Sequence, residues 1–319
     1  TIRAVDLVVR SAKLAESKRK PFSVSTVGPP TKPLTRAVRR LRIHCKVWMT
    51  MKILVWNVQR ATKKRIGVWE YFQEIAPDVA LLQEVGSLPS SISSQYAILE
   101  RRARTRSGNY QKFNTALLVK GSINSSLALK TPLNWVNEAL QNYEGNIIAA
   151  QISLASGEVF RVMSVYCPAW PLFSREQLKE IDVTNIKLQN NPDIWLTEIM
   201  WAALLHQNVK EYPWIVAGDL NSSVTFDTMW KGGPRGNQEI QDRMTALGFT
   251  ECLRYSQGTL TPTFKNPYNQ KVIHQMDHLF ITNEMVANLI SCAAGDSERV
   301  FGVALSDHLP IIADFRLSS

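Results

Sequence analysis

Trp214-Ile215-Val216-Ala217-Gly218-Asp219-Leu220-Asn221 carries the strongest structural signal in this chain. An apolar run enters a glycine, then a carboxylate, then an amide two residues on. A short continuous apolar run of this kind is a strand buried on both faces. Gly218 permits a tight turn, or a close approach of backbone to a ligand, where the strand ends. Asp219 and Asn221, two apart, project to one side of an extended chain and can address one point. Taken alone, the stretch also fits a polar loop in which Asn221 caps a helix.

The same grammar recurs along the chain. Met51 to Asn57 is an apolar run ending in an amide, and Asp78 to Glu84 is one ending in a carboxylate. Val162 to Tyr166 ends in a phenol just before Cys167-Pro168. Asp277-His278 opens the run Leu279-Phe280-Ile281, and Ser306-Asp307-His308 stands ahead of Leu309 to Ala313. Polar groups gathered at the strand ends of a layered sheet fold form a site.

In this order Trp56-Asn57-Val58, Gln83-Glu84, Val165-Tyr166-Cys167-Pro168, Gly218-Asp219-Leu220-Asn221, Met276-Asp277-His278 and Ser306-Asp307-His308-Leu309-Pro310 resemble the endonuclease/exonuclease/phosphatase superfamily. Each motif is weak alone; six in sequence are specific. The resemblance runs over about residues 51 to 317 and implies a DNase I-like α/β fold. That fold is a four-layer sandwich, two packed, mostly antiparallel (mixed) β-sheets flanked by helices. It implies a metal-dependent phosphoric ester hydrolase, expected to be a Mg2+-dependent endonuclease or exonuclease acting on nucleic acid, with Mn2+ as substitute. The alternative is a phosphatase or phosphodiesterase of a phospholipid or small phosphate ester.

The resemblance also assigns roles. Glu84, Asn57 and Asp307 are the expected metal ligands, Asn57 also serving to orient Glu84. Asp219 or His308 activates the water, Asp277 orients His308, and Asn221 and Tyr166 donate to phosphate oxygens. Arg60 and Lys63, beyond the Asn57 strand end, and Arg102 and Arg104, in a second basic cluster expected as a loop, are candidates for tracking substrate phosphates. Three departures stand out: Gln59 replaces an acid or Asn, Gln275-Met276 replaces Arg-Ile, and Thr261-Pro262-Thr263-Phe264 replaces a Trp-rich stretch. They argue against abasic-site specificity and leave phosphoester hydrolysis intact.

Composition bounds the rest. Residues 1–50 hold 12 of the 37 Lys/Arg and 2 of the 27 Asp/Glu, which accounts for the whole net charge of +10; the remainder carries 25 of each. Overall charge is therefore no argument for nucleic-acid binding by the region that carries the motifs. Residues 1–50, rich in Ser, Thr, Pro and Lys from Ser17 to Thr35, are expected to be a basic disordered arm preceding a catalytic domain over 51–319. No run reaches the roughly 18 to 20 apolar residues of a membrane span, and no signal-peptide core is visible; an intracellular, cytoplasmic monomer without an obligate protein partner is expected. The four cysteines, at 45, 167, 252 and 292, have neither zinc-site nor disulfide spacing. A helix is expected over about 64 to 75, with Ile66, Trp69, Phe72 and Ile75 on its apolar stripe, and another over Asp193 to Val209, capped by Asn191 or Asp193.

Overall fold

The computed structural model describes residues 49–229 and 235–317. The expected basic arm therefore lies outside the described residues save for Met49 and Thr50, as does most of the glycine-rich loop 231–236. Fourteen strands are present among the described residues: β1 (Thr50–Ala61), β2 (Val79–Val85), β3 (Ala97–Arg104), β4 (Tyr110–Val119), β5 (Gly121–Ser126), β6 (Ile147–Leu154), β7 (Val159–Tyr166), β8 (Trp214–Asp219), β9 (Phe249–Glu251), β10 (Phe264–Lys265), β11 (Val272–His274), β12 (Asp277–Thr282), β13 (Leu289–Ala294) and β14 (Ile311–Arg316). Two six-stranded sheets form, in the orders β13-β14-β1-β2-β4-β3 and β5-β6-β7-β8-β12-β9. Each holds one parallel pair, β1 with β2 and β7 with β8, and is otherwise antiparallel. This is the four-layer, DNase I-like arrangement expected from the sequence.

Strand periodicity explains the layers. In β1, Met51, Ile53 and Val55 face the second sheet and join Leu81, Leu117, Ile148, Val162, Ile215 and Leu279 in the central core. The intervening Leu54, Trp56 and Val58 face outward and are covered by the helix Ile66–Ile75. Both faces of the strand are therefore buried, which is why its sequence is a continuous apolar run rather than an alternating one. The second sheet is covered in the same way by the helices Asn134–Asn142, Leu196–Leu205 and Asn237–Ala246.

Boundaries differ from the sequence reading for local reasons. The first helix buries Val68, Trp69, Tyr71, Phe72 and Ile75, while Ile66, at its first turn, is exposed. It stops at left-handed Ala76, whose N–H returns to the Phe72 carbonyl, one residue before Pro77. The helix expected over Asp193 to Val209 spans Leu196–Leu205, and Glu198 rather than Asn191 or Asp193 serves its start: Glu198 Oε2 accepts the Trp195 N–H at 2.9 Å. Asn191 instead caps the preceding turn, accepting from Asp193 N–H at 3.1 Å. The basic stretch Arg101 to Arg104 lies on the edge strand β3 and not on a loop, since the outward face of an edge strand tolerates charge. Cys167, Cys252 and Cys292 are free and buried.

Candidate active site

Register brings the polar strand ends together. In the second sheet Tyr166 of β7 stands opposite Asp219 of β8, and Asp219 opposite Asp277 of β12. In the first sheet Asn57 of β1 stands opposite Gln83 of β2, beside Glu84. The two rows meet at one edge of the sandwich, where Asn57 Nδ2 donates to Asp219 Oδ2 at 3.0 Å and to Glu84 Oε1 at 3.4 Å. Asn57 Oδ1 accepts the Gln59 N–H at 2.9 Å, which fixes the amide orientation.

Glycine is required at 218. The residue has φ 147°, and a Cβ there would lie 1.9 Å from the Val165 carbonyl oxygen. The close approach lets β7 and β8 end flush, with Tyr166 and Asp219 side by side. Four non-glycine residues at the rim adopt the left-handed region: Gln59 (φ 49°), Arg60 (φ 57°), Glu84 (φ 55°) and Asn221 (φ 46°). Such strain costs of order 1 kcal/mol or more per residue and concentrates at functional sites.

His308 enters from the segment before β14. Its Nδ1 lies 2.8 Å from Asp277 Oδ2 and its Nε2 3.9 Å from Asp219 Oδ2. Trp56 Nε1 donates to its carbonyl at 2.8 Å, and Phe264 packs on the ring at 4.9 Å. Ser306 Oγ donates to the Asn57 carbonyl at 2.7 Å and accepts the His308 N–H at 3.0 Å, tying the histidine to the end of β1. Thr263 Oγ1 accepts the N–H groups of Met276 and Asp277. Burial opposes charge on the imidazole, but the carboxylates of Asp277 and Asp219 outweigh it and push the pKa up to about 10. Burial raises Asp219 to about 7, against the pull of His308. Burial, reinforced by the charges of Glu84 and Asp219, raises Tyr166 above the ordinary phenol range, so the hydroxyl stays protonated.

The structure brings Asn57, Glu84, Tyr166, Asp219, Asn221, Asp277 and His308 to this one edge. Asn221 spends its amide within the protein, donating to the Cys167 carbonyl at 2.6 Å and to Asp219 Oδ2 at 3.3 Å, while its N–H bonds Asp219 Oδ1 at 2.9 Å. Asp307 is half-buried beside His308, and its carbonyl accepts from Lys265. Of the four expected phosphate contacts, Arg60 lies at the centre, with Nε 3.4 Å from Glu84 Oε2. Arg104 lies at the turn end of β3 in the β3–β4 hairpin, where its N–H is tied to the Tyr166 carbonyl through the Asn146 side chain. Its guanidinium, however, is stacked 3.7 Å over Tyr110 and bonded to the Gly108 carbonyl. Arg102 and Lys63 are exposed. A cavity of about 260 Å³ opens beside Asn221, walled by Leu220, Phe226, Met276 and Trp195.

The sequence places Arg65 only in the basic cluster after Asn57, a candidate for phosphate contact, and its structural role was missed. Its two Nη atoms donate to the carbonyls of Gln59 at 2.8 Å, Ala304 at 2.9 Å and Leu305 at 2.7 Å, clamping the end of β1 to the loop that delivers His308. Its only signal was a place in the Lys63-Lys64-Arg65 run, which suggests solvent rather than carbonyls.

Two oxygen-rich groups are candidates for a metal. Asp219, Asp277 and His308 offer donor atoms within 4.8 Å of one another, all buried. In this cluster the His308 Nδ1 is committed to Asp277, and the two carboxylates hold the imidazole toward its charged form, which is not a metal ligand. Glu84 fits a hard divalent ion better, since its carboxylate stays 15% exposed to water. Asn57 turns its Nδ2 and not its oxygen toward Glu84, so it orients that carboxylate and, against expectation, offers no ligand oxygen beside it. A cationic group, Arg60, already sits against that carboxylate.

The model of the Endonuclease/Exonuclease/phosphatase family matches residues 54–308. A search of curated proteins finds none that matches. Among solved structures, an AP endonuclease from Archaeoglobus fulgidus superposes with a TM-score of 0.59 at 17% identity, over 84% of this chain and 100% of that one. A 3′ phosphatase, NExo, from Neisseria bound to a product DNA hairpin gives 0.54 at 19% identity, over 84% and 100%. An endonuclease/exonuclease/phosphatase from Beutenbergia cavernae gives 0.58 at 17% identity, over 85% and 72%. These likenesses are of fold. The family match spans most of the chain and takes in every motif from the end of β1 to His308, so this protein belongs to the endonuclease/exonuclease/phosphatase family and is a hydrolase of phosphoric esters.

Proposed function

We propose that the chain is a Mg2+-dependent phosphodiesterase acting on nucleic acid. The observation that carries this reading is the His308–Asp277 pair held against Asp219, with Asn57 linking Asp219 to Glu84. In this reading Glu84 holds the cation and Asn57 orients Glu84. When bound, the cation would neutralise charge on the phosphate and assist departure of the leaving oxygen. Asp219 takes the proton from the attacking water. His308 is a poor base because it is already protonated between two carboxylates, whereas an acid with a pKa near 7 matches proton acceptance at neutral pH. The 3.9 Å between His308 Nε2 and Asp219 Oδ2 is too long for a direct hydrogen bond and leaves both groups to a phosphate oxygen and its attacking water. Protonated His308 and the neutral Tyr166 phenol then stabilise charge on the phosphate oxygens. Asn221, its amide bonded to Cys167, holds Asp219 in place.

The nucleic-acid preference rests on Arg60, Lys63 and Arg102 around this edge, on the hairpin stiffened by Arg104, and on the DNA hairpin bound by one fold neighbour. Side-by-side assays with plasmid, abasic, single-stranded and RNA substrates, and with a phospholipid head-group ester, test it. Cleavage of a nucleic acid that needs Mg2+, is abolished in Glu84→Gln, and has an affinity falling steeply with salt is the expected result. Turnover confined to the small ester, without salt dependence, would overturn the nucleic-acid assignment.

A further inference from the structure

Glu84 has two carboxylate oxygens and each has a partner. Oε1 is 3.4 Å from Asn57 Nδ2, and Oε2 is 3.4 Å from Arg60 Nε. The guanidinium therefore stands at one of the two carboxylate oxygens that a cation on Glu84 would use. The contact is built in, because the Arg60 backbone is held in an uncommon conformation. Gln59 and Arg60 are consecutive left-handed residues, and the Arg60 carbonyl lies so near Gly86 that a Cβ there would approach it to 2.8 Å. The Gly86 N–H is bonded to the Ala61 carbonyl at 2.8 Å, which keeps the two segments together. The head group hovers 5.6 Å from the Phe113 ring, and Phe113 in turn packs edge-on against Tyr166 at 5.2 Å. Yet the Arg60 side chain is 69% exposed, so nothing encloses its head group.

A divalent ion on Glu84 would sit about 2.1 Å from the carboxylate oxygen. An arginine cation retained there would stand only a few ångströms from it, a repulsion that a half-exposed site does not screen away. A phosphodiester offers the guanidinium a better acceptor, two oxygens matched to its fork.

We propose, on the hydrolase reading above, that Arg60 and the divalent cation compete for Glu84, and that substrate phosphate draws Arg60 off the carboxylate. Arg60 is then both a stand-in for the metal and a phosphate ligand, and metal and substrate reinforce each other's binding. Coupling of this kind is reciprocal. A plain structural brace would behave in the opposite way: an arginine that merely positions Glu84 would favour metal binding.

Mn2+ titrations of the full chain, followed by the electron paramagnetic resonance signal of the free ion, separate the two. Arg60→Gln is expected to bind Mn2+ roughly three- to fivefold more tightly than the native protein, the size of a partly exposed ion pair. Arg60→Lys, which retains a competing cation, is expected to stay near the native value. Adding a short phosphorothioate oligonucleotide should tighten Mn2+ binding to the native protein and do so much less in Arg60→Gln. Equal or weaker Mn2+ binding by Arg60→Gln overturns the competition while leaving the hydrolase intact. Absence of Mn2+ binding in every variant, together with absence of turnover, overturns the reading on which it rests.

Discussion

His308 shows how the site gives one residue its chemistry. An imidazole buried in this protein would ordinarily be neutral, but two carboxylates reverse that preference. Asp277 can do this because Thr263 and the antiparallel register of β12 with β8 fix where it points. Groups that act as a unit lose rate non-additively. Alanine at His308, at Asp277, or at both should therefore depress kcat by similar amounts, which steady-state kinetics of the three variants would check. Multiplicative losses in the double variant would show that the two act separately. The polar strand-end residues were legible in the sequence because each interrupts an apolar run at a point where packing alone gives no reason for charge. Arg65 was not, because bonds from one guanidinium to distant carbonyls leave no periodic trace.

At the scale of elements, strand β8 carries the tightest constraint. A methyl group at 218 would meet the Val165 carbonyl, a backbone atom that cannot step aside. Gly218→Ala should therefore cost more than about 3 kcal/mol, a clash compounded by an unfavourable backbone angle. An unchanged urea midpoint would refute that. The helix Leu196–Leu205 offers a second test through Glu198, whose pKa burial raises to about 7 against opposing hydrogen bonds. The folded protein then keeps a proton that the unfolded chain releases near the ordinary value of 4.5. Stability from this group is present at low pH and is lost as pH rises through 7, with a slope of up to about 1.4 kcal/mol per pH unit. Glu198→Gln removes the titration, so its cost in denaturant unfolding should be larger at pH 5 than at pH 8. A cost independent of pH would show that Glu198 does not titrate in this way. Some elements were missed in the sequence for local reasons. The edge strand β5 is short and polar and lacks the apolar run that gave β1, β2 and β8 away. The helix Asn134–Asn142 buries Val136, Ala139 and Leu140, but its stripe spans only 9 residues.

For the whole molecule, charge and chemistry are separate along the chain. The net +10 lies entirely in residues 1–50, whereas every proposed site residue lies at Asn57 or beyond. Deleting 1–50 should leave turnover on a short oligonucleotide nearly unchanged. If those residues contact nucleic acid, affinity for long duplexes and its salt slope should both drop, by roughly 0.9 log units of slope for each phosphate no longer neutralised. A truncated protein that folds but no longer hydrolyses a short substrate would place part of the active site in the first fifty residues.

The position of β14 has one more consequence. It lies between β13 and β1, so a segment made long after β1 must insert beside it. His308 arrives just ahead of it, bonded through Ser306 to the end of β1. During synthesis, a ribosome-bound chain with β1 to β12 already emerged would lack both the histidine and the strand that seats it. The hydrolase is thus incomplete until His308 and β14 have emerged, and products of termination before that point lack the histidine and its seat.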